Sequence, residues 1–201
     1  MSAGWTHHSG TAVALDLESV DTDQLIPARF MSVPRVQGYG PYLLHDLRYD
    51  GAGQKLPDFV LNRHEGASIL VARRNFGSGS SREAAVYALV DFGMRVVVAP
   101  SFGDIFSANA VNNGLLPLAL PEADVDQILA MLVAQPAEAS VDLQAGNLRI
   151  CGQDYAFQLP QVWREKLMNG WDDIDLTTAR APQIAAYKTA RRASTPWVWP
   201  S

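Results

Sequence analysis

The chain has 201 residues, a length expected for one domain; 48% hydrophobic and 18% charged residues give it material for a buried core and exclude wholesale disorder. Sixteen Lys+Arg against 21 Asp+Glu leave a formal net charge of −5, which argues against a general nucleic-acid binder. It leaves room for a small anion held by a few local arginines. The single cysteine, Cys151, excludes an internal disulfide framework and any iron–sulfur or zinc site built from several thiolates of this chain.

Residues 1–16 show no basic run followed by an apolar one, so no signal peptide is expected. No apolar stretch reaches the roughly 18–20 residues that span a bilayer. A cytoplasmic protein with neither membrane nor nucleic-acid partners is the expectation. Residues 33–57, rich in Gly, Pro and Tyr, read as a long excursion with a short helix near 41–47; excursions of that length are usually functional or mobile.

Punctuation then becomes regular. Residues 67–73 read as an apolar strand, 75–79 as a glycine-rich turn and 80–92 as a helix stopped by Gly93. A second strand at 95–99, a helix at 101–113 closed by Gly114 and a third strand at 115–120 complete a βαβαβ order. Continuous apolar strands in that order predict an α/β fold, with a mainly parallel sheet covered by helices on both faces. A helix over 123–134 follows, then short strands at 140–142, 147–151 and 155–159 and a helix near 160–169. The remaining residues, around 175–201, read as a polar tail whose Trp197 and Trp199 are expected to pack down. Nothing marks a second domain, so residues 1–201 are read as one.

Two stretches carry chemistry-bearing residues. In Asn75-Phe76-Gly77-Ser78-Gly79-Ser80-Ser81-Arg82-Glu83, a buried strand meets a helix N-terminus, where unpaired amides and the dipole favour anions. Gly77 and Gly79 permit backbone paths closed to other residues, and Arg82 offers a planar fork for a carboxylate. Ser80-x-x-Glu83 also has the form of a capping box, as does Ser101-x-x-Asp104, and on spacing alone capping takes precedence. In Asp21-Thr22-Asp23-Gln24-Leu25-Ile26-Pro27-Ala28-Arg29-Phe30, Asp23 is placed to orient a hydroxyl or an arginine and Arg29 to reach a substrate carboxylate. An Asx turn with a helix cap is the competing account and is favoured by spacing. His7, His8, His45 and His64 have no metal-ligand spacing, and Arg73-Arg74 reads as a solvated pair.

Taken together, residues 21–30, 75–83, 99–106, 113–117, 167–174 and 184–187 resemble, in order, the small subunits of 3-isopropylmalate dehydratase, relatives of the aconitase swivel domain. The resemblance implies a swivelling β/β/α domain that closes over a large subunit carrying a [4Fe–4S] cluster, with no cofactor or metal bound by this chain. It implies interconversion of 2- and 3-isopropylmalate, a small hydroxy-dicarboxylate, by dehydration and rehydration in leucine biosynthesis. Ser80 matches the catalytic serine and Asp23 an acidic position that orients the network. Ser81 and Arg82 match substrate-binding positions, and Arg29, Phe30 and Met31 lie where relatives distinguish the substrate's side group. The family commonly has Cys at the position of Ser78 and His at that of Ala84. Those departures admit a related acid (citraconate, methylmalate or homoaconitate-like), a non-catalytic assembly subunit, or a free-standing carboxylate-binding module.

Overall fold

The computed structural model describes residues 3–199. Strand β1 (His7–Leu15) leads through a one-turn helix α1 (Thr22–Leu25) into residues 26–68, which hold three 3-10 turns and the short helices α2 (His45–Arg48) and α3 (Val60–Arg63) and include the excursion at 33–57. Then come β2 (Ile69–Ala72), α4 (Glu83–Phe92), β3 (Val96–Ala99), α5 (Asp104–Asn112), β4 (Leu116–Ala119) and α6 (Glu122–Ala134). The antiparallel strands β5 (Ala137–Asp142), β6 (Asn147–Ile150) and β7 (Gln153–Ala156) are followed by helices α7 (Gln161–Asn169), α8 (Asp173–Ala179) and α9 (Ala181–Ser194).

All seven strands form one sheet in the order β4-β3-β2-β1-β5-β6-β7. The first four are parallel, and β1 is the junction, pairing in parallel with β2 and antiparallel with β5. Successive side chains of each central strand go to opposite faces: Leu70, Ala72 and Val97 join one buried cluster, while Ile69, Val71 and Val96 join the other. Helix α4 covers the first face with Ala85, Ala88 and Leu89; α6 covers the second with Val125, Ile128 and Leu129. Both faces of β2 and β3 are therefore dry, which is why those segments read as unbroken apolar runs.

Several expectations change. No strand was anticipated at 7–15, because its first half, His7-His8-Ser9-Gly10-Thr11, is polar and pairs with the partly exposed β5. The polar tail around 175–201 carries two helices, at 173–179 and 181–194, and Trp197 stands 78% exposed instead of packing down. Trp199 is half-buried beneath the Arg192 guanidinium, 4.9 Å from its ring centroid.

Lys166, nearly buried on α7, ties α8 to the body by donating to Asn112 Oδ1 (2.9 Å) and to Asp173. The Lys166 ammonium and the Asn112 amide hold the Asp173 carboxyl below its ordinary range. A depressed folded-state pKa stabilises the fold above the unfolded value of about 3.9, and that contribution is lost as pH falls through the folded value. Asp173→Asn is therefore expected to lower stability to denaturant at pH 7, with the gap to wild type closing as the pH is taken below about 4.

Candidate active site

Three loops leave the carboxyl ends of the adjacent parallel strands β1, β2 and β3, the place where open α/β sheets collect ligands. The glycine-rich loop after β2 is clamped between the other two. Gly77 donates to the Val20 carbonyl (2.7 Å) and Thr22 N–H to the Ser78 carbonyl (3.0 Å) on one side. On the other, Phe76 donates to the Ser101 carbonyl (3.0 Å), and Gly103 returns a bond to the Phe76 carbonyl (2.9 Å). Buried Phe76 packs edge-on against the Phe106 ring, anchoring the loop in the core.

Two glycines make this clamp possible. Gly77 has φ +70°, and a Cβ there would lie 2.2 Å from Cγ of Phe106. At Gly103 a Cβ would stand 2.6 Å from the Gly77 carbonyl oxygen. Gly77→Ala combines a disfavoured backbone with overpacking, so a loss of about 2–4 kcal/mol in unfolding free energy is expected in a denaturant titration. Gly79 (φ +94°) has no such clash, so alanine there should cost only the backbone term of about 1 kcal/mol.

Ser80 and Ser81 are exposed. The expected capping box at Ser80 is absent: α4 starts at Glu83, with Arg82 as a capping residue that makes no side-chain cap bond. The reason is a long-range contact. The Ser80 carbonyl accepts from Thr22 Oγ1 (3.0 Å) and from Arg82 N–H (2.8 Å), which keeps residues 80–82 out of helical geometry. Among the described residues, Ser80 Oγ has no hydrogen-bond partner. Ser101 likewise accepts from Asn75 N–H (2.9 Å) through its hydroxyl instead of capping α5, which begins at Asp104.

Asp21 and Asp23 divide their work. Asp21 caps α1 in a reciprocal box with Gln24, which meets the competing account for that residue. Asp23, in the first turn of α1, accepts from Nη1 of Arg82. The pair is partly solvated, with side-chain exposures of 22% for Arg82 and 56% for Asp23, so its contribution to stability is small, at most about 1 kcal/mol. Its consequence is orientation. Among the described residues the Nη1 contact is the only hydrogen bond of the Arg82 guanidinium, which leaves its Nε and Nη2 donors open as a fork. Exposed Ser80, that fork and the first amides of α4 thus occupy one solvent-facing stretch.

The specificity candidates lie in and just after the 3-10 turn Ala28–Phe30 that follows α1. Arg29 pairs with Asp46 and lies over the Phe30 ring, 4.6 Å from the centroid. Phe30 stacks on Tyr42 (4.4 Å), and Met31 is exposed. Among the described residues no hydrogen bond, ion pair or ring contact joins residues 29–31 to residues 77–82. The guanidinium of Arg29 is thus already committed to a carboxylate of its own chain. Ser78 forms a bridge with Asp21, and Ala84 is buried in the first turn of α4.

Cys151, the one thiol, lies at the β6–β7 hairpin, where burial pushes its pKa up. Among the described residues no group of three or more His, Cys, Asp or Glu side chains is arranged to hold a metal. This donor set does not fit an iron–sulfur cluster.

The Aconitase C-terminal domain family model matches residues 2–123. The chain is 50% identical over 192 residues to the 3-isopropylmalate dehydratase small subunit of Shewanella denitrificans, covering 92% of this chain and 94% of that protein. It is 48% identical over 191 residues to the corresponding small subunit of Shewanella baltica, covering 92% and 95%. Among solved structures, the 3-isopropylmalate dehydratase (LeuD) of Methanocaldococcus jannaschii superposes with a TM-score of 0.66 at 24% identity, covering 90% of this chain and 99% of that one. That likeness supports the fold.

Proposed function

Because the chain belongs to the family of 3-isopropylmalate dehydratase small subunits, within the aconitase C-terminal domain family, we propose that residues 77–82 are its share of a composite active site. The protein is the small subunit of a hydro-lyase that interconverts 2- and 3-isopropylmalate and acts with a large subunit. A [4Fe–4S] cluster takes several thiolates and this chain has one cysteine, which supports placing the cluster on the large subunit. The observation that carries the reading is the exposed Ser80 in the same loop as an Arg82 fork held by Asp23.

What this chain does follows from those groups. Arg82 binds a substrate carboxylate through Nε and Nη2, and Ser81 adds a hydroxyl hydrogen bond. Carboxylate binding fixes the adjacent carbon next to Ser80, converting an encounter into an oriented, near-unimolecular step. Ser80 Oγ, as an alkoxide, takes the proton from that carbon, and its O–H returns a proton when water is added back in the opposite sense. A serine hydroxyl is an ordinary alcohol, so the alkoxide depends on nearby positive charge: the guanidinium of Arg82 and the unpaired first amides of α4 supply it. Asp23 holds the guanidinium in place.

Apolar contacts from Phe30 and Met31 suit an isopropyl group better than a second charged one. The test is anaerobic co-assembly with the large subunit and an assay against a panel of C4–C7 hydroxy-diacids. Turnover is expected for isopropylmalates in the assembled enzyme alone, with only weak isopropylmalate binding by the isolated chain. Turnover restricted to another diacid would reject the substrate assignment.

A further inference from the structure

We propose that the C-terminal arm, residues 173–199, is a docking element for an acidic surface of the large subunit; this rests on the two-subunit reading above. Helix α9 has fourteen residues, all of them exposed. Its main packing partners are α8 and the 3-10 turn Pro196–Val198, both within the arm. A lone helix of this length is marginal in water, and helices in proteins draw most of their stability from a face laid on something else.

The face is defined. Ile184, Tyr187, Lys188 and Arg191 fall at spacings of three, four and seven, so they share one side of α9. Ile184, Tyr187 and Trp197 are large and exposed, as is Ile174 at the root. The stretch is apolar and basic together. Residues 176–199 contain Arg180, Lys188, Arg191 and Arg192 and no acidic residue. The remainder of the chain then carries twelve basic against 21 acidic residues, a formal −9. With Asp173 and Asp175 at its root the whole arm carries +2 on a −7 body, and its +4 stretch beyond the root matches an acidic apolar surface outside the chain.

The position of the root names the occupant. Asp172–Asp175 line a cleft of about 560 Å³ together with Glu83, the residue that follows Arg82. The Lys166–Asp173 and Asn112–Asp173 bonds fix that root to the body. The arm therefore springs from the rim of the open face that the large subunit must cover to complete the site. An arm rooted there lies alongside the incoming subunit and adds contact area outside the catalytic loop.

The test uses the full chain in anaerobic co-assembly, with the dissociation constant for the large subunit measured across a salt series. Arg180→Glu/Lys188→Glu/Arg191→Glu, and separately Ile184→Ser/Tyr187→Ser, are expected to weaken association at least tenfold, the charge variant also losing the salt dependence. The charge-keeping control Arg180→Lys/Arg191→Lys is expected to bind as wild type. Circular dichroism of each free chain checks that the body stays folded. Wild-type affinity and salt slope in both variants would overturn the proposal. So would unchanged large-subunit affinity combined with loss of self-association or of binding to anionic vesicles, outcomes that assign the arm to a second copy or a lipid surface. Failure of the wild-type chain itself to bind the large subunit would overturn the two-subunit reading and the arm with it, a result distinct from failure of the variants alone.

Discussion

Ser80→Ala is expected to abolish measurable turnover of the assembled enzyme while leaving its association with the large subunit unchanged. A positioned acid–base group contributes about 10²–10⁴ in rate, which at 1.36 kcal/mol per decade corresponds to about 3–5 kcal/mol of barrier. Folding should be indifferent. Ser80 is exposed, its hydroxyl makes no hydrogen bond among the described residues, and the loop is fixed through the Ser80 carbonyl, which alanine retains. The loss should fall on kcat, because the hydroxyl acts on the proton being transferred rather than on the substrate's carboxylates. Ser81→Ala, lacking only a binding hydrogen bond, should fall mainly on KM and by no more than about tenfold. Steady-state kinetics on matched complexes separates the two patterns, and a Ser80→Ala enzyme with wild-type kcat removes the serine as base.

Arg82→Ala is expected to reduce kcat/KM by about 2–5 kcal/mol, the range for truncating one member of a desolvated charge pair. Arg82→Lys should recover only part of that loss. An ammonium keeps the charge but cannot contact Asp23 and present two further parallel donors to a carboxylate. Asp23→Asn tests orientation by itself: the fork survives but is held less firmly, so kcat/KM should drop less than in Arg82→Lys, by about tenfold. Unfolding free energies of all three should stay within about 1 kcal/mol of wild type, since the pair is partly solvated. Equal kinetics in Arg82→Lys and wild type would make Arg82 structural.

How far the sequence revealed this arrangement depends on the range of the interactions involved. The β2-α4-β3-α5-β4 core was legible because each strand is buried on both faces and each helix is stopped by a residue with a local role, such as Gly93 at φ +111°. Strand β1 was hidden for the opposite reason: its polar first half faces β5, whose outer face is wet, so no apolar run announces it. The two loops of the candidate site stood out by residue type, but their joining did not. Thr22 meets Ser80, and Asp23 meets Arg82, across 58 and 59 residues. The first of those contacts turned a sequence that reads as a capping box into an open loop with a free hydroxyl. Arg29 illustrates the same limit, since its partner Asp46 lies in an excursion with little periodicity of its own. The arm, whose polar sequence reads as a tail, is helical, and neither of its helices has a buried residue.

Hydrogen exchange at the reacting carbon of isopropylmalate, followed by NMR in D2O with the anaerobically assembled complex, isolates the proton transfer assigned to this chain. Wild-type complex should wash the label in, and a complex built with Ser80→Ala, equally saturated with substrate, should do so at least about a hundredfold more slowly. Label entering at the wild-type rate in that variant would place the proton-abstracting group on the other subunit and contradict the account.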